Sequence, residues 1–117
     1  MAVKKQRYRS RPTLPPSFAD LLSTLQTNYD AVPTANTAYA TAVATTSAAQ
    51  DAFNTAADAF AANPTLDNAT AWLSANADLA DAQDSEDTAF AAVESAYDAL
   101  VAARGAVDDA VDAQLSL

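Results

Sequence analysis

From Phe18 onward the larger side chains return at alternating steps of four and three: Phe18, Leu22, Leu25, Tyr29, Val32, Asn36, Tyr39, Val43, Thr46, Gln50, Phe53, Ala57 and Phe60. Ten of these thirteen are apolar. A strand would alternate every second residue, so this spacing is a helical seam of the coiled-coil kind. A second series repeats it: Ala69, Trp72, Asn76, Leu79, Gln83, Glu86, Phe90, Val93, Tyr97, Leu100, Arg104, Val107, Val111 and Gln114. Two long helices are predicted, and no sheet.

Between the two series stands Asn63-Pro64-Thr65, the clearest helix stop in the chain. Proline removes a backbone donor, and Thr65 can cap the helix that follows. At the other end, Ser17 comes after Pro15-Pro16 with Asp20 three residues on, a helix-start pattern. At 1.5 Å per residue, 18–62 and 66–115 would run about 67 and 75 Å. Arms so well matched predict an all-α, long antiparallel helical hairpin, with residue i facing roughly residue 127 − i. In that register Thr46 and Gln50 fall opposite the stretch holding Asn76, Gln83 and Glu86. Pro33 interrupts the first arm, yet the four-three phase continues through it. One kinked rod is favoured there over two helices stacked end to end. The acidic patch Asp84-Ser85-Glu86-Asp87 holds no strong breaker.

The side chains expected to pack are Phe18, Leu22, Leu25, Tyr29, Tyr39, Val43, Phe53 and Phe60 from the first arm. The second arm supplies Trp72, Leu79, Phe90, Val93, Tyr97, Leu100 and Val107. They are few for 117 residues. Half of the chain is hydrophobic, but alanine supplies 32 of those 59 residues. Alanine buries little area, at about 25 cal/mol per Å², while fixing a residue's backbone costs roughly 1–2 kcal/mol. The chain is therefore expected to gain stability from copies of itself, a trimer foremost, or from neighbouring structural proteins. Ala35, Ala42, Ala49 and Ala56 recur every seven residues beside the large seam. They are either plain helix filler or a line of close helix approach.

Composition removes many functions. There is no cysteine and no histidine, so no thiol nucleophile, no zinc-thiolate site and no imidazole base. A single glycine, Gly105, leaves no phosphate-cradling loop. Asp78, Asp81, Asp84, Glu86 and Asp87 form the densest acidic cluster, but they lack the spacing and turn glycine of a calcium loop. Nor does a thin rod offer the cleft that paired-carboxylate chemistry needs. Catalytic, cofactor and metal sites are all expected to be absent. Asn68-Ala69-Thr70 matches a glycosylation acceptor and is read as chance. No apolar run approaches membrane-spanning length, and no apolar segment follows the basic start as in a secretory signal.

Charge divides the sequence in two. Lys4, Lys5, Arg7, Arg9 and Arg11 are five of its six basic residues, and no acid accompanies them. From residue 12 onward fifteen acids face Arg104 alone, a balance of −14. Residues 1–16, with Pro12, Pro15 and Pro16, are read as an extended basic arm, and 17–117 as the helical domain. Lys4, Lys5, Arg7, Tyr8, Arg9 and Arg11 are the partner-binding candidates. Phosphate contact through this arm is disfavoured, because five charges make a short footprint and the acidic body repels nucleic acid. Docking on an acidic protein surface is favoured. Asp108, Asp109 and Asp112 oppose the helix dipole near the chain's end and form one such surface. Trp72, with Phe60, Leu66 and Leu73, is read as an apolar plug at the hairpin tip.

The tract from Asn63-Pro64-Thr65-Leu66-Asp67-Asn68 into Trp72-Leu73, set between Ala/Asp/Thr-rich helices, resembles small helical virion proteins of tailed bacteriophages. Head-decoration, fibre and tail-associated components belong to that group. The resemblance implies a non-enzymatic, multi-copy capsid or tail part, located in the virion and anchored by its N-terminal arm. Without it, the expectation is a cytoplasmic protein. The alternative function is an acidic interaction module or inhibitor that occupies a basic partner protein.

Overall fold

The computed structural model describes residues 17–116, and 95% of them are helical, with no strand among them. Helix α1 spans Phe18–Ala62 and helix α2 spans Leu66–Leu115. The fold is an all-α helical hairpin. The basic arm and its six candidate residues lie outside the described residues.

Both helix starts are capped as their sequences predict. The Asp20 amide donates to Ser17 Oγ at 3.1 Å, and the Asn68 amide donates to Thr65 Oγ1 at 3.1 Å. Each bond satisfies one of the donors that a first turn leaves unpaired, and is worth about 1 kcal/mol. In the turn, the Thr65 amide donates to the Asn63 carbonyl at 2.8 Å. Asn68 finishes the junction by donating Nδ2 to the carbonyls of Asn63, at 2.7 Å, and Ala59, at 3.3 Å. One side chain therefore ties the last turn of α1 to the first turn of α2.

Neither internal irregularity ends a helix. Pro33 lies inside α1, which continues to Ala62, so a break there is not what the chain does. Its ring is exposed on the outward face, where the bond it removes need not be replaced by a buried partner. The patch 84–87 is likewise passed without interruption by α2.

The described chain divides into two compact units. The turn unit is Pro33–Ser95 and holds the Asn63–Thr65 connection. The terminal unit combines 17–32 with 96–116. In each, a stretch of α1 lies antiparallel to a stretch of α2.

The packing phase differs from the expected one by half of its positions. Sheltered residues of α1 are Leu21, Leu25, Asn28, Val32, Ala35, Tyr39, Ala42, Thr46, Ala49, Phe53, Ala56, Ala57 and Phe60. In α2 they are Asn68, Ala69, Trp72, Ala75, Leu79, Ala82, Glu86, Ala89, Val93, Ala96, Leu100, Ala103, Gly105, Ala106, Val107 and Ala110. The large residue of each heptad is as expected. Its companion is the residue three after or four before it, alanine at ten of the twelve such positions that run from Leu21 to Ala56 and from Ala75 to Ala110. The larger expected companions fall on the flank instead, Leu22 44% exposed, Tyr29 62%, Val43 40%, Phe90 48% and Tyr97 47%, while Ala57 and Ala69 beside the turn stay sheltered as expected. Phe18, at the start of α1, is also exposed.

The physical reason is distance. Helix axes in contact lie roughly 8–10 Å apart, set by the side chains between them. A seam of alanines brings the backbones to the near end of that range, and the large neighbours then close over the joint from one side. Thr46 records how near they come. Its hydroxyl, shared with the Ala42 carbonyl one turn back, donates across to the Ala82 carbonyl of α2 at 3.1 Å. So short a side chain reaches a facing backbone only when the helices nearly touch. Ala82 is one of three buried residues among those described, with Leu79 and Ala103.

Candidate assembly surfaces

Aromatic rings concentrate in the turn unit. Trp72 meets Phe60 at 5.4 Å between ring centroids and Phe53 at 6.2 Å, and Tyr39 meets Phe90 at 5.5 Å. All three contacts are tilted, the arrangement that suits opposed ring faces and edges. The expected plug at the tip is thus present, but with Phe53 in place of Leu66 and Leu73. Those two leucines point outward, 82% and 69% exposed. The Trp72 indole N–H is buried without an acceptor, an arrangement that costs about 1–3 kcal/mol. Beside it is a shallow groove of about 220 Å³ lined by Phe53, Trp72, Leu73 and Asn76.

In the terminal unit a larger groove of about 580 Å³ opens between Leu22, Leu25, Gln26 and Tyr29 on α1 and Leu100 and Arg104 on α2. No ring contact closes it among the described residues. Its floor is Leu25 and Leu100, and Tyr29 and Arg104 stand at its margin. Arg104 has no hydrogen-bond or ion-pair partner among the described residues.

The polar layer expected at mid-height is thinner than the register suggested. Thr46 and Glu86 take sheltered positions, while Gln50, Asn76 and Gln83 face outward. Gln50 instead donates to Asn54 on its own helix at 3.1 Å. The acids Asp78, Asp81, Asp84 and Asp87 are exposed, as are Asp108, Asp109 and Asp112. Among the described residues, no three carboxylates converge as a metal-holding group, and no helix is long and apolar enough to cross a membrane.

Two contributors escaped the sequence reading. Asn68 was noted in a glycosylation triplet and in the turn tract but not as a turn-closing side chain, although an asparagine three residues after a capping threonine is well placed to reach back across the turn. The alanines Ala75, Ala82, Ala89, Ala96, Ala103 and Ala110 repeat every seven residues in α2, as the four noted in α1 do. Two such repeats in paired helices are the signal of a shared alanine seam. No protein-family model, curated protein or solved structure matches this chain.

Proposed function

We propose that this chain is a non-enzymatic structural subunit that works in multiple copies within a larger assembly, with the virion of a tailed bacteriophage as the assembly its sequence style suggests. The observation that carries the reading is the balance of inside and outside. Among the described residues three are buried, while eleven large apolar side chains stand exposed. A pair of helices joined along alanine has little core of its own, and its uncovered apolar side chains are surface for neighbours. The basic segment 1–16 supplies the anchor, through Lys4, Lys5, Arg7, Tyr8, Arg9 and Arg11, on an acidic protein surface. Single exposed ion pairs contribute only about 0–1 kcal/mol each, so such an anchor works as a set.

The test is to express the chain with and without residues 2–16 in its native setting and follow it through particle purification. Many copies per particle for the full chain, and loss of incorporation for the truncated one with helical content intact, are expected. A chain recovered one-to-one with a basic protein and in no particle would establish the acidic-module reading instead.

A further inference from the structure

In the terminal unit the inward face of α2 is Ala96, Leu100, Ala103, Val107 and Ala110. Shifting by one residue gives a second series with the same four-three spacing: Tyr97, Val101, Arg104, Asp108, Val111 and Leu115. One residue is about 100° of helix rotation, so α2 carries two faces roughly at right angles. The first packs on α1. The second is bare: Tyr97 is 47% exposed, Val101 64%, Val111 38% and Leu115 80%, and both charged members are exposed. A helix with two such faces belongs at the corner of a bundle, with a partner on each.

The order of residues on the bare face identifies that partner. Read from either end it is two apolar residues, a charge, the opposite charge, and two apolar residues. An antiparallel copy of the same face therefore sets Tyr97 against Leu115, Val101 against Val111, and Arg104 against Asp108. Each layer joins a residue followed by a four-step with one followed by a three-step, as antiparallel helix seams require. Pairing in which i meets j and j meets i is what a two-fold dimer demands. We propose that a second copy of this chain docks on this face, with the two-fold axis passing between Arg104 and Asp108 and each Arg104 paired to the other copy's Asp108.

Two independent features fit this arrangement. Arg104 is the one cation after residue 11 and has no partner among the described residues, although fifteen acids share the chain. Gly105, the chain's one glycine, sits inside α2, where glycine weakens a helix. Within the chain a Cβ there would meet nothing within 4 Å, so the fold does not require a glycine. Beside the proposed axis, its missing side chain gives the second helix room to approach. Leu22 shares a groove with Arg104, so it lies at the height of the axis and adds its exposed side chain to the contact. Asp98 and Asp112 flank the seam at matching heights and oppose one another, which keeps the pair reversible.

The inference rests on the multi-copy reading and gives it a first contact. Sedimentation equilibrium of the full chain tests it. The wild type should show a monomer–dimer equilibrium. Arg104→Asp or Asp108→Arg alone places like charges across the axis and should raise the dissociation constant at least about tenfold, and the double swap should restore it to within about threefold. Helical content, followed by circular dichroism, should not change in any of the three. The chain has no cysteine, so Val101→Cys combined with Val111→Cys should cross-link on oxidation, whereas either change alone should not. A dimer or trimer indifferent to the charge swaps overturns this seam but leaves the multi-copy reading standing. A monomer up to about 100 μM, with the face covered by residues 1–16 or by another protein, overturns the proposal outright.

Discussion

The turn unit and the terminal unit are built from the same two helices, yet the first closes on itself and the second does not. Helix α2 lines both with alanine, but α1 brings alanine to the seam only in the turn unit, and Leu21 and Asn28 in the terminal one. Pro33–Ser95 holds two of the three buried residues, Leu79 and Ala82, every ring contact among the described residues, and the Thr46 bond across the joint. Residues 17–32 and 96–116 hold Ala103, an open groove, and seven of the eleven exposed large apolar side chains. The seam sets how close the helices come. Whether a unit is finished depends on what α1 places in the seam and on what stands beside it. In the turn unit aromatic rings reach across and cover it. In the terminal unit the neighbours are leucines, valines and tyrosines that turn outward.

This contrast can be broken most forcefully at Leu79. Leu79→Ala removes a buried side chain in the unit that closes on itself and should cost about 2–4 kcal/mol in chemical denaturation. Leu100→Ala, at the equivalent heptad position of the terminal unit, starts half-buried and should cost about half as much. Equal losses would mean that the two units are equally packed. Next in size is Ala82→Leu, which crowds the joint where Thr46 bonds across it and should destabilise by about 1–3 kcal/mol. Val43→Leu, on the flank of the same unit, should be nearly neutral, and a reversed order would return the large residues to the seam. Thr46→Val keeps the shape and removes the bond to Ala82, for about 1 kcal/mol by thermal unfolding. The smallest effect is expected at the turn, where Asn68→Ala should cost about 0.5–1.5 kcal/mol through its two carbonyl bonds.

Much of this architecture was legible in the residues. The four-three spacing located both helices, Asn63-Pro64-Thr65 located the turn, and Ser17 and Thr65 announced their capping bonds. The register follows from the position of the turn near Pro64: the 127 − i rule places residue 81 opposite Thr46, whose bond goes to Ala82. What was hidden is the rotation of each helix about its own axis. By area alone a large residue such as Leu22, Tyr29, Val43, Phe90 or Tyr97 is the better core former, because burial scales with area. Close backbone approach along alanine outweighs it here, since every atom along the joint then finds neighbours. Pro33 looked like an obstacle because sequence alone does not say which way it faces. Facing outward, it is accommodated within α1.

The proposed role depends on the terminal unit being completed by another chain while the turn unit is not. Amide hydrogen exchange measured residue by residue, at several protein concentrations, tests this directly. The account predicts that protection across 97–115 rises with concentration while that across 39–60 and 72–93 stays constant. Protection of 97–115 that already equals the turn unit's at the lowest concentration, and does not change on concentrating, would contradict it.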